Sequence, residues 1–118
     1  MIVAGIGCRR ACPPGDILAA LRMAERQSGR VAGLLAIPAF KRMAELAATF
    51  GLPVTEVTDA AMAAAQSRCA TFSARAEGAT GFASVAEAAA LAGAGESARL
   101  CQPRVTHGAA TCALAESA

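Results

Sequence analysis

The run Gly5-Ile6-Gly7-Cys8-Arg9-Arg10 holds the residues of this chain best equipped for chemistry. Two adjacent arginines can hold carboxylates by parallel hydrogen bonds, and glycines let a backbone approach a ligand or another element closely. A second group is Ser84-x-x-Glu87, a hydroxyl and a carboxylate at the spacing of a helix capping box. Either residue could also bind a ligand, or Glu87 could take a proton. Lys41 offers a further cation, and His107 is the single histidine, a type whose ordinary pKa near ~6.5 suits acid–base work or metal ligation. Cys8 and Cys12 are spaced C-x3-C, and Cys101 and Cys112 could join them around zinc. The second half lacks the close cysteine pairing of such sites, so no metal is expected. A Ser-His-Asp triad cannot be assembled either, because Asp16 and Asp59 are the only aspartates and neither adjoins a nucleophile elbow.

The elements that must position these groups follow from the hydrophobic pattern. The apolar run 1–6, bounded by glycine, predicts a buried strand. Gly5-x-Gly7 then invites a dinucleotide fingerprint, but its third glycine would fall at Arg10, so the fingerprint fails. What remains is a loop before a helix start, where backbone N–H groups, the helix dipole and the arginines favour an anion. The alternative is a tight strand-to-helix turn with two solvated arginines. Pro13-Pro14-Gly15-Asp16 opens a helix that ends at Ser28-Gly29, and 31–37 is a second strand closed by Pro38. The spacing predicts a helix over 43–50, a strand over 54–57 and a helix from Thr58-Asp59 to 65. Loop with one short strand follows over 66–83. The predicted helix 84–92 precedes strands at 98–101 and 111–115, around a polar loop at 103–108. Such alternation gives α/β layering in one domain, 1–118, with no internal repeat or dividing linker.

Composition narrows the function. Hydrophobic residues are 55% of the chain, but 33 positions are alanine, four are Phe and none is Trp or Tyr, which predicts a thin core. A net charge of +2 with few aromatic residues argues against nucleic acid. No stretch reaches the roughly 18 apolar residues of a membrane span. The apolar start is too short for a secretory signal and has no preceding Lys or Arg, so a cytoplasmic protein with reduced thiols is expected.

Several segments together resemble the CobE family of cobalamin (vitamin B12) biosynthesis, which is similar to the C-terminal domain of CbiG. They are Val3 through Arg10, Phe40-Lys41, Gly51-Leu52-Pro53, Gly81-Phe82-Ala83-Ser84-Val85-Ala86-Glu87-Ala88-Ala89-Ala90-Leu91, and Ala110-Thr111-Cys112-Ala113-Leu114-Ala115. The resemblance implies a three-layer α/β/α sandwich with a mixed, mostly parallel sheet of about five strands. It also implies a protein that binds or carries a carboxylate-rich corrin intermediate, of the precorrin or hydrogenobyrinic acid type. Two further roles come with it. One is a hydrolase opening the ring-A lactone of a cobalt-precorrin-5A with release of acetaldehyde, for which Glu87 and His107 are the candidate bases. The other is an interaction module for another enzyme of the pathway. Ligand-binding residues carry over to Gly5, Gly7, Cys8, Arg9, Arg10, Lys41, Ser84 and Glu87, and neither a cofactor nor a metal is implied. Family members often have a longer acidic stretch after the lysine, compressed here to Lys41-Arg42-Met43.

Overall fold

A computed structural model describes residues 1–8, 12–39, 51–70 and 84–117. Its central strand, β1 (Ile2–Cys8), is buried from Val3 to Gly7. β2 (Leu34–Pro38) lies parallel beside it, with Val3 opposite Leu34, and β3 (Val54–Val57) lies parallel beyond β2. On the other side β5 (Ala110–Glu116) runs antiparallel to β1, and β4 (Arg99–His107) forms an antiparallel hairpin with β5. The order is β3-β2-β1-β5-β4, a mixed sheet with one parallel half and one antiparallel half. The α/β class with about five strands therefore holds.

Two expected boundaries shift: the strand read over 31–37 begins at Leu34 and includes Pro38, and the second change is larger. Residues 103–108 read as a polar loop, yet β4 continues through Pro103 to His107. Proline cannot donate to a strand ladder, which is why it suggests a break, but it is tolerated on an edge strand or at a bulge. β4 is both an edge strand and irregular, its register with β5 shifting between Leu100 and Gln102 and again between Gln102 and Val105.

The helices are α1 (Pro14–Ser28), α2 (Asp59–Ala65) and α3 (Val85–Ala94), with a 3-10 turn at Gln66–Arg68 after α2. The helix expected over 43–50 lies outside the described residues, as does most of the stretch 66–83. The period-2 alternation of the strands separates two faces. Ala4 and Ile6 of β1, Leu35 and Ile37 of β2, and Cys112 and Leu114 of β5 pack with Ile17, Leu21 and Ala24 of α1. Val3 and Ala36 face the other way, toward Met62 of α2 and Ala88 and Ala89 of α3. Ala113 and Ala115 meet Ala86, Ala90 and Leu91 on that same face. The result is three layers, helix on sheet on helix.

The two faces are filled differently. Against α1 the sheet offers mostly branched side chains, whereas against α3 it offers Val3 among the small residues Gly5, Gly7, Ala36, Ala113 and Ala115. α3 is buried at every position from Ala86 to Leu91. A Cβ on Gly5 would strike Ala86 O and Ala90 N and come within 2.8 Å of Ala90 Cβ, and one on Gly93 would lie 2.7 Å from Ala36 Cβ. Alanine and glycine are used here to bring helix backbone onto strand backbone. The composition that predicts a thin core thus makes a close-packed interface, dense by proximity rather than by side-chain size.

Candidate functional site

The parallel strands β1, β2 and β3 end on one edge of the sheet, at Cys8, Pro38 and Val57. β4 runs in the same sense as β1, so the β4–β5 hairpin tip reaches that edge too, and Cys8 pairs directly with Ala110. Carboxyl ends of strands in open α/β sheets are where ligand crevices form.

Helix starts converge on the same edge. α3 runs antiparallel to β1, since the space beside Gly7 meets Ala86 N at 3.4 Å while Gly93 meets Val3 Cγ1 at 3.1 Å near the other end of the strand. The two motifs singled out in the sequence, Gly5-x-Gly7 and Ser84-x-x-Glu87, are therefore stacked on each other. Gly7 has close approach as its role, limited on one side by Thr111 Oγ1 and on the other by Ala86. α1 is latched to the hairpin tip by Asp16 of its first turn, whose Oδ2 accepts from Ala109 N at 3.0 Å. Gly108 makes that latch possible twice over: its φ of +58° is a conformation L side chains rarely adopt, and a Cβ there would collide with the Asp16 carboxylate.

Ser84 and Glu87 are both fully buried. Ser84 caps α3, its Oγ accepting from Glu87 N at 3.4 Å, as the capping box predicts. Glu87 extends beyond that motif, because its Oε2 accepts from Arg104 N at 2.9 Å and so ties the start of α3 to the edge strand β4. No local spacing could announce that contact; Arg104 lies 17 residues away, in a segment that reads as loop.

Cys8 and Cys12 are joined in a disulfide, with Cα atoms 5.7 Å apart. This corrects the expectation of reduced thiols at these positions. That Cα separation lies within the range a disulfide spans. Cys69, Cys101 and Cys112 are free. The four-cysteine zinc arrangement is not assembled, and among the described residues no three His, Cys, Asp or Glu side chains gather to hold a metal. His107 is exposed and closes β4 opposite Ala110, at the end of a strand rather than in a loop.

Arg9, Arg10 and Lys41 lie outside the described residues. The helix starts at this edge already carry acids of their own, Asp16 on α1 and Glu87 on α3. Extra positive charge for an anionic ligand must then come from cationic side chains rather than from helix dipoles alone. A shallow groove at the far end of α1, lined by Arg22, Glu25, Arg26, Gly29, Arg30 and Val31, belongs to the opposite edge and is separate from this site. No helix among the described residues is long and apolar enough to cross a membrane.

Comparison with known proteins gives a consistent result. The sequence profile described as "Cobalamin synthesis G C-terminus" matches residues 2–115. No curated protein sequence matches the chain. Among solved structures, CobE, a protein from the cobalamin (vitamin B12) biosynthetic pathway, is 35% identical with a TM-score of 0.87, over 98% of this chain and 89% of that one. Cobalamin biosynthesis protein chiG from Agrobacterium tumefaciens is 38% identical with a TM-score of 0.79, over 100% and 99% of the two chains. A cobalamin biosynthesis protein G homologue from Sulfolobus solfataricus shares the fold at 20% identity and a TM-score of 0.71; this chain covers only 36% of that longer one.

Proposed function

Because the chain belongs to the cobalamin synthesis G C-terminus family, we propose that it binds a carboxylate-rich corrin intermediate at the carboxyl edge of its sheet. Intermediates of this type carry acetate and propionate groups around an apolar macrocycle. A site for them needs guanidinium or ammonium groups on a rigid support. Arg9 and Arg10, which follow Cys8 directly in the chain, and Lys41 supply the cations in this reading. Gly5, Gly7, Cys8, Ser84 and Glu87 form the support. The glycines let α3 lie on β1, Ser84 caps that helix, Glu87 fastens it to β4, and Cys8 ends the strand that precedes the arginines in the chain.

The observation that carries the reading is the stacking of Gly7 on Ala86, which joins the starts of two distant motifs at one edge. Charge-assisted hydrogen bonds contribute about 1.5–3 kcal/mol each, and about 1.4 kcal/mol is tenfold in affinity. An Arg9→Ala/Arg10→Ala variant should therefore bind hydrogenobyrinic acid at least about tenfold more weakly in an absorbance titration. The experiment pairs that titration with gel filtration, to see whether the chromophore co-elutes with the protein. Equal affinity in variant and parent would refute the carboxylate clamp. Release of acetaldehyde from a lactone-bearing intermediate would make the protein a hydrolase instead.

A further inference from the structure

We propose that Cys8 and Cys12 form a reversible dithiol–disulfide site, opened and closed by exchange with a dithiol/disulfide couple, which ties or unties the start of α1 to the central strand. This goes beyond the corrin-binding reading and does not rest on it. Cys8 is the last residue of β1 and Cys12 stands one residue before the N-cap of α1, so the bond spans the junction between strand and helix. Both residues are partly exposed, as a sulfur open to attack must be.

Four residues of sequence separation make this a poor structural staple. Disulfides stabilise chiefly by removing loop freedom from the unfolded chain, and a small ring removes little. The other three cysteines are unsuited to the same chemistry. Cys112 is buried in the core, its thiol pushed up to about 12 by loss of solvent and, less, by the charge of Glu25. Burial raises Cys69 to about 11, with a smaller contribution from Glu87, and burial also raises Cys101. Burial thus works against thiolate formation at all three, which favours the pair at the strand end for exchange.

The exchange balances simply. A thiolate of the reductant attacks one sulfur of the pair, breaking its S–S bond, forming a mixed disulfide and releasing the other sulfur as a thiolate that takes a proton from water. The reductant's second thiolate then displaces the protein sulfur, which is protonated in turn. Two electrons and two protons have passed to the protein, and the dithiol leaves as its disulfide. Closure is the reverse.

Thiol counting on the folded chain tests this. After equilibration with oxidised glutathione, alkylation in denaturant should modify three of the five cysteines, with Cys8 and Cys12 recovered as one disulfide-linked product. Treating the folded protein with dithiothreitol should raise the count to five, and native-state alkylation should then reach Cys8 and Cys12 before Cys69, Cys101 and Cys112. A Cys12→Ser variant should leave Cys8 as a mixed disulfide with glutathione. Five free thiols after oxidation, a bridge through any other cysteine, a pair that opens only in denaturant, or a Cys12→Ser chain that takes up no glutathione would each overturn the proposal.

Discussion

Glu87 is the residue at which local and long-range demands meet. Its place three residues after Ser84 suits the first turn of α3, while its carboxylate takes the Arg104 N–H from an edge strand. Glu87→Ala would strand that donor and leave a void, at a cost of about 2–3 kcal/mol in urea unfolding. Glu87→Gln keeps an acceptor oxygen and should cost about 1 kcal/mol. Equal losses from the two variants would mean that the Arg104 contact contributes nothing. Surface charge behaves differently. Arg30 pairs with Glu116 at 2.9 Å, and this hydrogen bond, with the guanidinium charge, holds the Glu116 carboxyl below the ordinary glutamate range. A lowered folded-state pKa stabilises the protein above the unfolded-state value, and the contribution fades as pH falls through the folded-state value. Thermal melts of parent and Glu116→Gln should therefore differ slightly at neutral pH and converge in acid. A gap that widens in acid would contradict this sign.

At the scale of elements, the distinctive feature is a helix laid on a strand mainly through glycine and alanine. A Cβ on Gly5 meets backbone on the facing helix, which cannot swing aside as a flexible side chain can. Gly5→Ala should destabilise the fold by about 3 kcal/mol or more through overpacking, measured as a lowered urea midpoint. A midpoint within experimental error of the parent would show that α3 does not sit against β1 as described. Much of this architecture was legible in the sequence. The apolar run before Gly7 marked β1, Thr58 and Ser84 marked the starts of α2 and α3 as caps, and 54–57 read directly as β3. Pro103 hid the second half of β4, because local sequence does not tell an edge strand from a loop. The alanines were legible as helix formers but not as an interface, since close packing depends on which small residues oppose one another across layers.

For the whole molecule, the topology gathers strand ends, two helix starts and the hairpin tip on one edge, and leaves the arginine-lined groove of α1 on the other. The sequence named most residues proposed to serve that edge, because glycine, arginine and capping patterns are local signals. It could not name Asp16 as the latch on Ala109, 93 positions away, nor pair Cys8 with Cys12 against the expectation of reduced thiols. The proposed function places the corrin intermediate at the carboxyl edge. The measurement that tests it most directly is an amide NMR titration of the labelled protein with hydrogenobyrinic acid. Saturable shifts are expected at Cys8, at Val85 through Glu87 and at His107 through Ala110, with Gly29 through Gly33 unmoved. Shifts confined to Gly29 through Gly33 and the arginines of α1, or no shifts at any residue, would contradict it.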